Sequence, residues 1–245
     1  MKGDLSTVQK ILILQHMQEN PEGFVGTLLD EYAVDCDVID VEKDALPDPT
    51  HYAGIIALGG DQHVYDEQTY PYFKQEKVFI RQAIEHAIPF LGLCLGAQIL
   101  AAALGGQVKR HSMTEVGFFD VQLTDAGAHD ALFAGLPGYQ KVFHWHEDTF
   151  DLPSEAVLLA TSENTENQAF RCGPSAYGLQ YHIELDDAIL ETWLYQPAMR
   201  ESMISTLGVE AYQMLVNARS SQMPIYQEHT RIVVKNFLRS SGFLH

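Results

Sequence analysis

Three short apolar runs, Ile11 to Leu14, Gly54 to Leu58 and Phe90 to Leu93, and the strand-like segment Cys36 to Val41 punctuate the first hundred residues, with longer amphipathic stretches between them. Such alternation predicts parallel strands joined by helices, because a strand buried on both faces reads as a continuous apolar run while its covering helix shows one apolar stripe. Helices are expected over Gly23 to Tyr32, Tyr72 to His86 (ended by the approach to Pro89) and Leu95 to Leu104, the last closed by Gly105 and Gly106. The pattern then changes. Alternating segments at Phe118 to Leu123, Val157 to Thr161, Gln168 to Arg171 and Ala176 to Tyr181 predict a mixed or antiparallel extension of the sheet. From Asp186 onward the chain reads as helical, with breaks expected at Gly208 and Pro224.

The chain of 245 residues is long enough to bury a sizeable core, and no repeat or linker divides it. The expectation is a main α/β domain over residues 1–185, with a helical extension over 186–245 packed on it. Acidic residues outnumber basic ones 33 to 15, and a formal charge of −18 would repel a phosphate backbone, so nucleic acid is not an expected partner. No run approaches the roughly 20 apolar residues of a membrane span, and Met1 to Lys10 carry no apolar signal core, so the cytoplasm is the expected location. The three cysteines, Cys36, Cys94 and Cys172, fall in no metal-ligand spacing, and their odd number speaks against a disulfide framework.

Chemistry concentrates at three strand ends. In Gly92-Leu93-Cys94-Leu95-Gly96-Ala97-Gln98 a strand turns sharply into a helix, which is the layout of a nucleophile elbow. Residues two positions either side of the nucleophile crowd it, so glycine at 92 and 96 makes steric sense, and the helix dipole would favour a Cys94 thiolate. On this segment alone, a buried structural cysteine also fits. Tyr177 to Glu184 offers a base. Two residues apart on an extended strand, His182 and Glu184 point the same way, so the carboxylate can fix the imidazole tautomer while the other ring nitrogen faces the thiol. At Leu58-Gly59-Gly60-Asp61 a backbone free of side chains can approach a substrate carbonyl, and the amides of Gly60 and Leu95 would then form an oxyanion hole; a plain strand-to-loop turn fits the Gly-Gly pair equally well.

These pieces, in this order over roughly residues 10 to 185, resemble the class I glutamine amidotransferase family, whose pattern is Gly-Gly, then Gly-x-Cys-x-Gly-x-Gln, then His-x-Glu. Glu115-Val116-Gly117, Phe143 to Thr149 and Asn167 to Phe170 resemble the branch of stand-alone proteins similar to the amidotransferase domain of GMP synthase. The resemblance implies a flavodoxin-like α/β fold with a central, mostly parallel sheet flanked by helices and followed by C-terminal helices. It also implies Cys94 as nucleophile, His182 as base, Glu184 as its orienter, Gly60 and Leu95 as the oxyanion hole, and Gly59, Gln98 and His146 at the substrate. For His146 a satisfied structural histidine is an equal reading, and His63, His111, His129 and His144 show no trusted ligand spacing, so neither a metal nor an organic cofactor is expected. The expected substrate is glutamine or a γ-glutamyl compound, handled by an amidotransferase or glutaminase, a γ-glutamyl peptide hydrolase, or held by an idle scaffold. With no Ser-Gly-Gly-x-Asp-Ser loop and no P-loop to activate an acceptor, any ammonia would go to a separate synthase. Two positions depart from the pattern: Ile183 stands where the family has proline between His and Glu, and Asp61 stands where it has proline after Gly-Gly.

Overall fold

The computed structural model describes residues 10–244; the N-terminal stretch read as lacking a signal core lies, apart from Lys10, outside them. The elements run β1 (Lys10–Gln15), α1 (Gly23–Glu31), β2 (Asp35–Asp40), β3 (Gly54–Ala57), α2 (Tyr72–Glu85), β4 (Phe90–Leu93), α3 (Leu95–Ala103), β5 (Val108–Leu123), α4 (Asp125–Ala128), β6 (Tyr139–Phe150), β7 (Val157–Thr161), β8 (Ala169–Cys172), β9 (Ala176–Leu179), α5 (Asp187–Tyr195), α6 (Pro197–Leu207) and α7 (Val209–Ser240). The strands form one sheet in the order β2-β1-β3-β4-β9-β8-β7-β5-β6. Pairing is parallel from β2 through β9 and antiparallel beyond it.

Strand β1 shows why the sheet is a middle layer. Its alternate residues serve two cores, Ile11 and Ile13 packing with α1 and α7, and Leu12 and Leu14 packing with α2 and α3. All four residues of β3 and all four of β4 are buried, as strands covered on both faces must be. A third core joins Trp193, Leu194 and Ile189 of α5 to Tyr212 and Tyr226 of α7 and to Phe143 of β6. The C-terminal helices therefore serve both halves of the sheet: α5 and the first part of α7 share a core with β6, and the last turns of α7 share that of Ile11 and Ile13 with α1. No helix of the described residues is long and apolar enough to cross a membrane.

The structure departs from the sequence reading in two places. The whole of β6 and the first half of β5 are strand that hydrophobic alternation did not reveal. The buried positions of β6 include Gln140, His144, His146 and Asp148, so its inward face looks polar on paper. The expected break at Pro224 is absent, because Pro224 lies inside the continuous helix α7. Its neighbours account for this: Met223 and Tyr226 are buried, and the Tyr226 hydroxyl accepts from the Leu185 amide at 2.9 Å, so tertiary packing outweighs the missing helix hydrogen bond. The break at Gly208 is present, with φ +80 between α6 and α7.

Candidate active site

Between β4 and α3 the chain turns on Cys94, whose φ of 48 and ψ of −105 place a non-glycine residue in strained backbone. The turn is held on both sides. The Cys94 amide donates to Leu179 O of β9 at 2.8 Å, and its carbonyl accepts from the Gln98 amide at 3.1 Å. The flanking glycines are steric necessities: a Cβ at Gly92 would sit 2.5 Å from Gly96 O, and one at Gly96 would sit 2.3 Å from Ala57 O. Strain, clearance and the amino end of α3 together present the Cys94 sulfur at the carboxyl edge of the parallel strands.

His182 and Glu184 follow β9, the strand beside β4. A bridge from the His182 amide to Phe143 O, 2.9 Å, ties this segment to β6 at the far edge of the sheet. His182 Nδ1 stands 2.6 Å from Glu184 Oε1, and both side chains are almost wholly buried. The carboxylate is well supplied with donors. Asn20 Nδ2 donates to Oε1 at 2.9 Å and the Ile183 amide to Oε2 at 2.8 Å. That second bond exists because position 183 is not proline, so this departure from the family pattern adds a hold on the orienting carboxylate.

Burial opposes charging of His182, but the negative charge of Glu184 and the charge and hydrogen bonding of Cys94 overcome it and push the imidazolium up to about 10. Burial likewise opposes the Glu184 carboxylate, and His182 with Asn20 holds it below its usual range nonetheless. Trp193 meets the imidazole edge-on, 5.0 Å between ring centroids, and is itself fixed by Nε1 donating to Glu19 O at 2.9 Å.

A cavity of about 420 Å³ opens over Cys94 and His182. Gly60, Gln98, His146 and Asp61 line it from the sheet side, and Gln196, Met199 and Ser202 wall it from the C-terminal helices. Gly60 packs on Leu95, since a Cβ there would lie 2.7 Å from Leu95 Cδ2. Leu95 starts α3, where helix amides lack internal partners. Gly59 has another use, as clearance: a Cβ would meet His182 Cε1 at 2.6 Å and Asn20 Nδ2 at 2.9 Å. Gln98 Nε2 donates to Gln180 Oε1 at 3.2 Å, and Gln180 Nε2 to the Cys94 sulfur at 3.8 Å. His146 lines the cavity, with Nδ1 engaged by Asp148 O at 3.0 Å.

The elbow, the buried His182–Glu184 pair and the cavity before them thus define a cysteine hydrolase-like site on an α/β sheet. Asn20, Gln180 and Trp193 belong to it and were not read from the sequence: Asn20 precedes Pro21 and looks like a turn residue, Trp193 looks like the core of an amphipathic helix, and Gln180 sits in the motif without a motif letter.

Residues 25–189 match the family model described as glutamine amidotransferase class-I, and the chain belongs to that family. It is 33% identical over 141 residues, 56% of this chain and 59% of the relative, to the glutamine amidotransferase-like protein YfeJ of Salmonella typhimurium. It is 36% identical over 156 residues, 60% of this chain but 29% of the relative, to the glutamine-hydrolysing GMP synthase of Leifsonia xyli. The chain therefore matches less than two thirds of the length of these curated relatives. Among solved structures, a glutamine amidotransferase from Thermotoga maritima superposes with TM-score 0.83 at 29% identity, covering 94% of this chain and 98% of that one. A glutamine amidotransferase from Methylobacillus flagellatus, at 23% identity and TM-score 0.81 over 95% of both chains, shares the fold.

Proposed function

We infer that this chain hydrolyses the side-chain amide of glutamine through a γ-glutamyl thioester on Cys94. The observation that carries the reading is a strained, glycine-cleared cysteine beside a buried, carboxylate-held imidazolium at one end of a cavity. The Cys94 thiolate attacks the amide carbon, and the carbonyl π electrons move to oxygen, where the amides of Gly60 and Leu95 receive the oxyanion. His182 gives its proton to the departing nitrogen, ammonia leaves, and the thioester remains. The neutral imidazole then takes a proton from water, whose oxygen attacks the thioester and releases glutamate and the thiolate. Glu184 holds the imidazole in orientation and steadies its charge throughout. Gln98 is assigned to substrate contact, while His146, with Nδ1 engaged by Asp148 O and Nε2 turned to Glu115, forms part of the cavity wall; the ammonia is assigned to a separate synthase subunit, in keeping with the GMP synthase relatives.

A second reading, γ-glutamyl peptide hydrolysis, draws support from the cavity: 420 Å³, walled in part by α6, holds more than a glutamine side chain. Both substrates present the same carbonyl to Cys94 and differ in the leaving amine. A side-by-side assay of glutamine and γ-glutamyl dipeptides decides between them. Turnover of glutamine supports the amidotransferase reading, and a preference for dipeptides above about 100-fold in kcat/KM, near 2.7 kcal/mol, transfers the assignment. Absence of turnover, with Cys94 unreactive to a glutamine-mimicking electrophile, leaves an idle scaffold and overturns both.

A further inference from the structure

Beside the cavity, on the inward face of the β5–β6 hairpin, Glu115, His144 and His146 converge, with one ligating atom of each within 4.8 Å of the others. The strands explain the meeting. His144 and His146 are two residues apart on β6 and share a face, and Glu115 is the cross-strand partner of His146. All three are buried: His144 is 0%, Glu115 3% and His146 3% exposed. The hydrolysis described above uses neither Glu115 nor His144.

Hydrogen bonding leaves this cluster short of a cation. His146 Nδ1 stands 3.0 Å from Asp148 O, and a carbonyl only accepts, so Nδ1 carries the hydrogen and Nε2 of the neutral ring is a lone pair. That lone pair points to Glu115 Oε2 at 3.0 Å, an oxygen that already accepts from Thr165 Oγ1 at 2.6 Å. Two acceptors face each other, and either a proton or a metal ion must lie between them. His144 separates the cases. Both of its ring nitrogens are buried without a hydrogen-bond partner, so a proton on the Glu115–His146 pair leaves its lone pair unsatisfied, whereas a metal ion takes all three.

We propose that Glu115, His144 and His146 form a binding site for a divalent transition-metal ion of the zinc class, reached from the catalytic cavity. Two imidazoles and one carboxylate are the donor set such ions take in preference to Mg²⁺ or Ca²⁺. At metal–ligand distances of about 2.0–2.2 Å, tetrahedral neighbours stand roughly 3.4 Å apart, so Glu115 and His146 are already spaced for it and His144 closes the remaining gap by a small shift. The ion is a clamp. It would pin β5 to β6 beside the register shift between Arg110 and Glu115 and so fix Phe143 and Trp145, whose carbonyls meet the His182 amide at 2.9 Å and the Cys94 thiol at 3.8 Å.

The full-length chain, stripped with chelator and re-dialysed, is titrated with Co²⁺ and followed by visible absorption and elemental analysis. Expected is stoichiometric uptake with ligand-field bands, retained in Cys94→Ser and abolished in His144→Phe and Glu115→Gln. Zn²⁺ at saturation should raise the Tm of the wild type by roughly 5 °C or more, a readout that stands even where the variants fail to fold. Uptake lost in Cys94→Ser would put the metal on the catalytic thiol, and uptake unchanged in a folded His144→Phe would put it elsewhere. Either result, or a wild type that binds no Co²⁺ and shows no Tm response, overturns the proposal.

Discussion

Replacing Ile183 by proline would remove the amide that donates to Glu184 Oε2 at 2.8 Å, inside a site where both residues are 0% exposed. A hydrogen bond to a charged group contributes about 1.5–3 kcal/mol net, and proline has no amide hydrogen with which to make it. Proline's restriction of the unfolded chain returns about 0.4–1 kcal/mol, while the smaller side chain forfeits burial at about 0.8 kcal/mol per methylene. Ile183→Ala, which keeps the amide but loses a larger part of the side chain, should cost about 2–5 kcal/mol and serves as the control. What tells the two apart is pH. Because the Glu184 carboxyl is held below its usual range, its bonds contribute stability that is complete above the unfolded value of about 4.3 and is lost as pH falls through the folded value. Urea denaturation from pH 7 to pH 3 should therefore show an Ile183→Pro penalty with a component of about 1.5–3 kcal/mol that fades on acidification, against an Ile183→Ala penalty that does not change with pH. A flat Ile183→Pro profile, or a proline variant as stable as wild type, would refute the claim that this amide holds the carboxylate.

Gly96→Ala should destabilise by about 1–3 kcal/mol and depress cysteine alkylation by a glutamine-mimicking electrophile, because the new Cβ lies 2.3 Å from Ala57 O; unaltered labelling would show that the elbow tolerates the shift. The alkaline limb of kcat/KM should lie well above pH 8, since the His182 imidazolium is pushed up to about 10 and, on the proposed mechanism, is the acid that protonates the leaving amine; a limb near 6.5 would mean an unperturbed histidine. Pro224→Ala should stabilise α7 by about 1–3 kcal/mol by restoring an amide donor at an exposed position in mid-helix, and thermal melts showing no gain would imply that the helix is adapted to its proline.

The parallel half of the fold was legible because its physics is local. Ile11 to Leu14 and Phe90 to Leu93 are apolar on both faces, and runs this short suit a strand between helix layers. Cys94 could be placed because an elbow needs its glycines at fixed spacing, and His182 and Glu184 because a strand puts alternate residues on one side. What escaped depends on partners distant in sequence. Strand β6 buries His144, His146 and Asp148, and nothing within Tyr139–Phe150 announces that Glu115 and Thr165 wait on the other side to receive them. Asn20 reaches Glu184 across 164 positions, a contact that local patterning has no means to express.

The same asymmetry runs through the walls of the cavity. Residues 25–189 match the family model, and they contain Cys94, His182, Glu184 and the Gly59–Gly60 loop. The outer wall of the cavity comes from Trp193, Gln196, Met199 and Ser202, all beyond that span. On the proposed mechanism the bond-breaking steps need the first group of residues, and selection of the leaving amine falls to whatever surrounds it once the γ-carbonyl is seated at Cys94. Helices α5 and α6 occupy that position, held by the Tyr212 hydroxyl donating to Leu194 O at 2.7 Å and by Tyr226 on Leu185. On the proposed mechanism, chemistry and specificity thus fall in different segments of the chain, the first in strand-end motifs with strict spacing, the second in the helical wall that carries Trp193, Gln196, Met199 and Ser202.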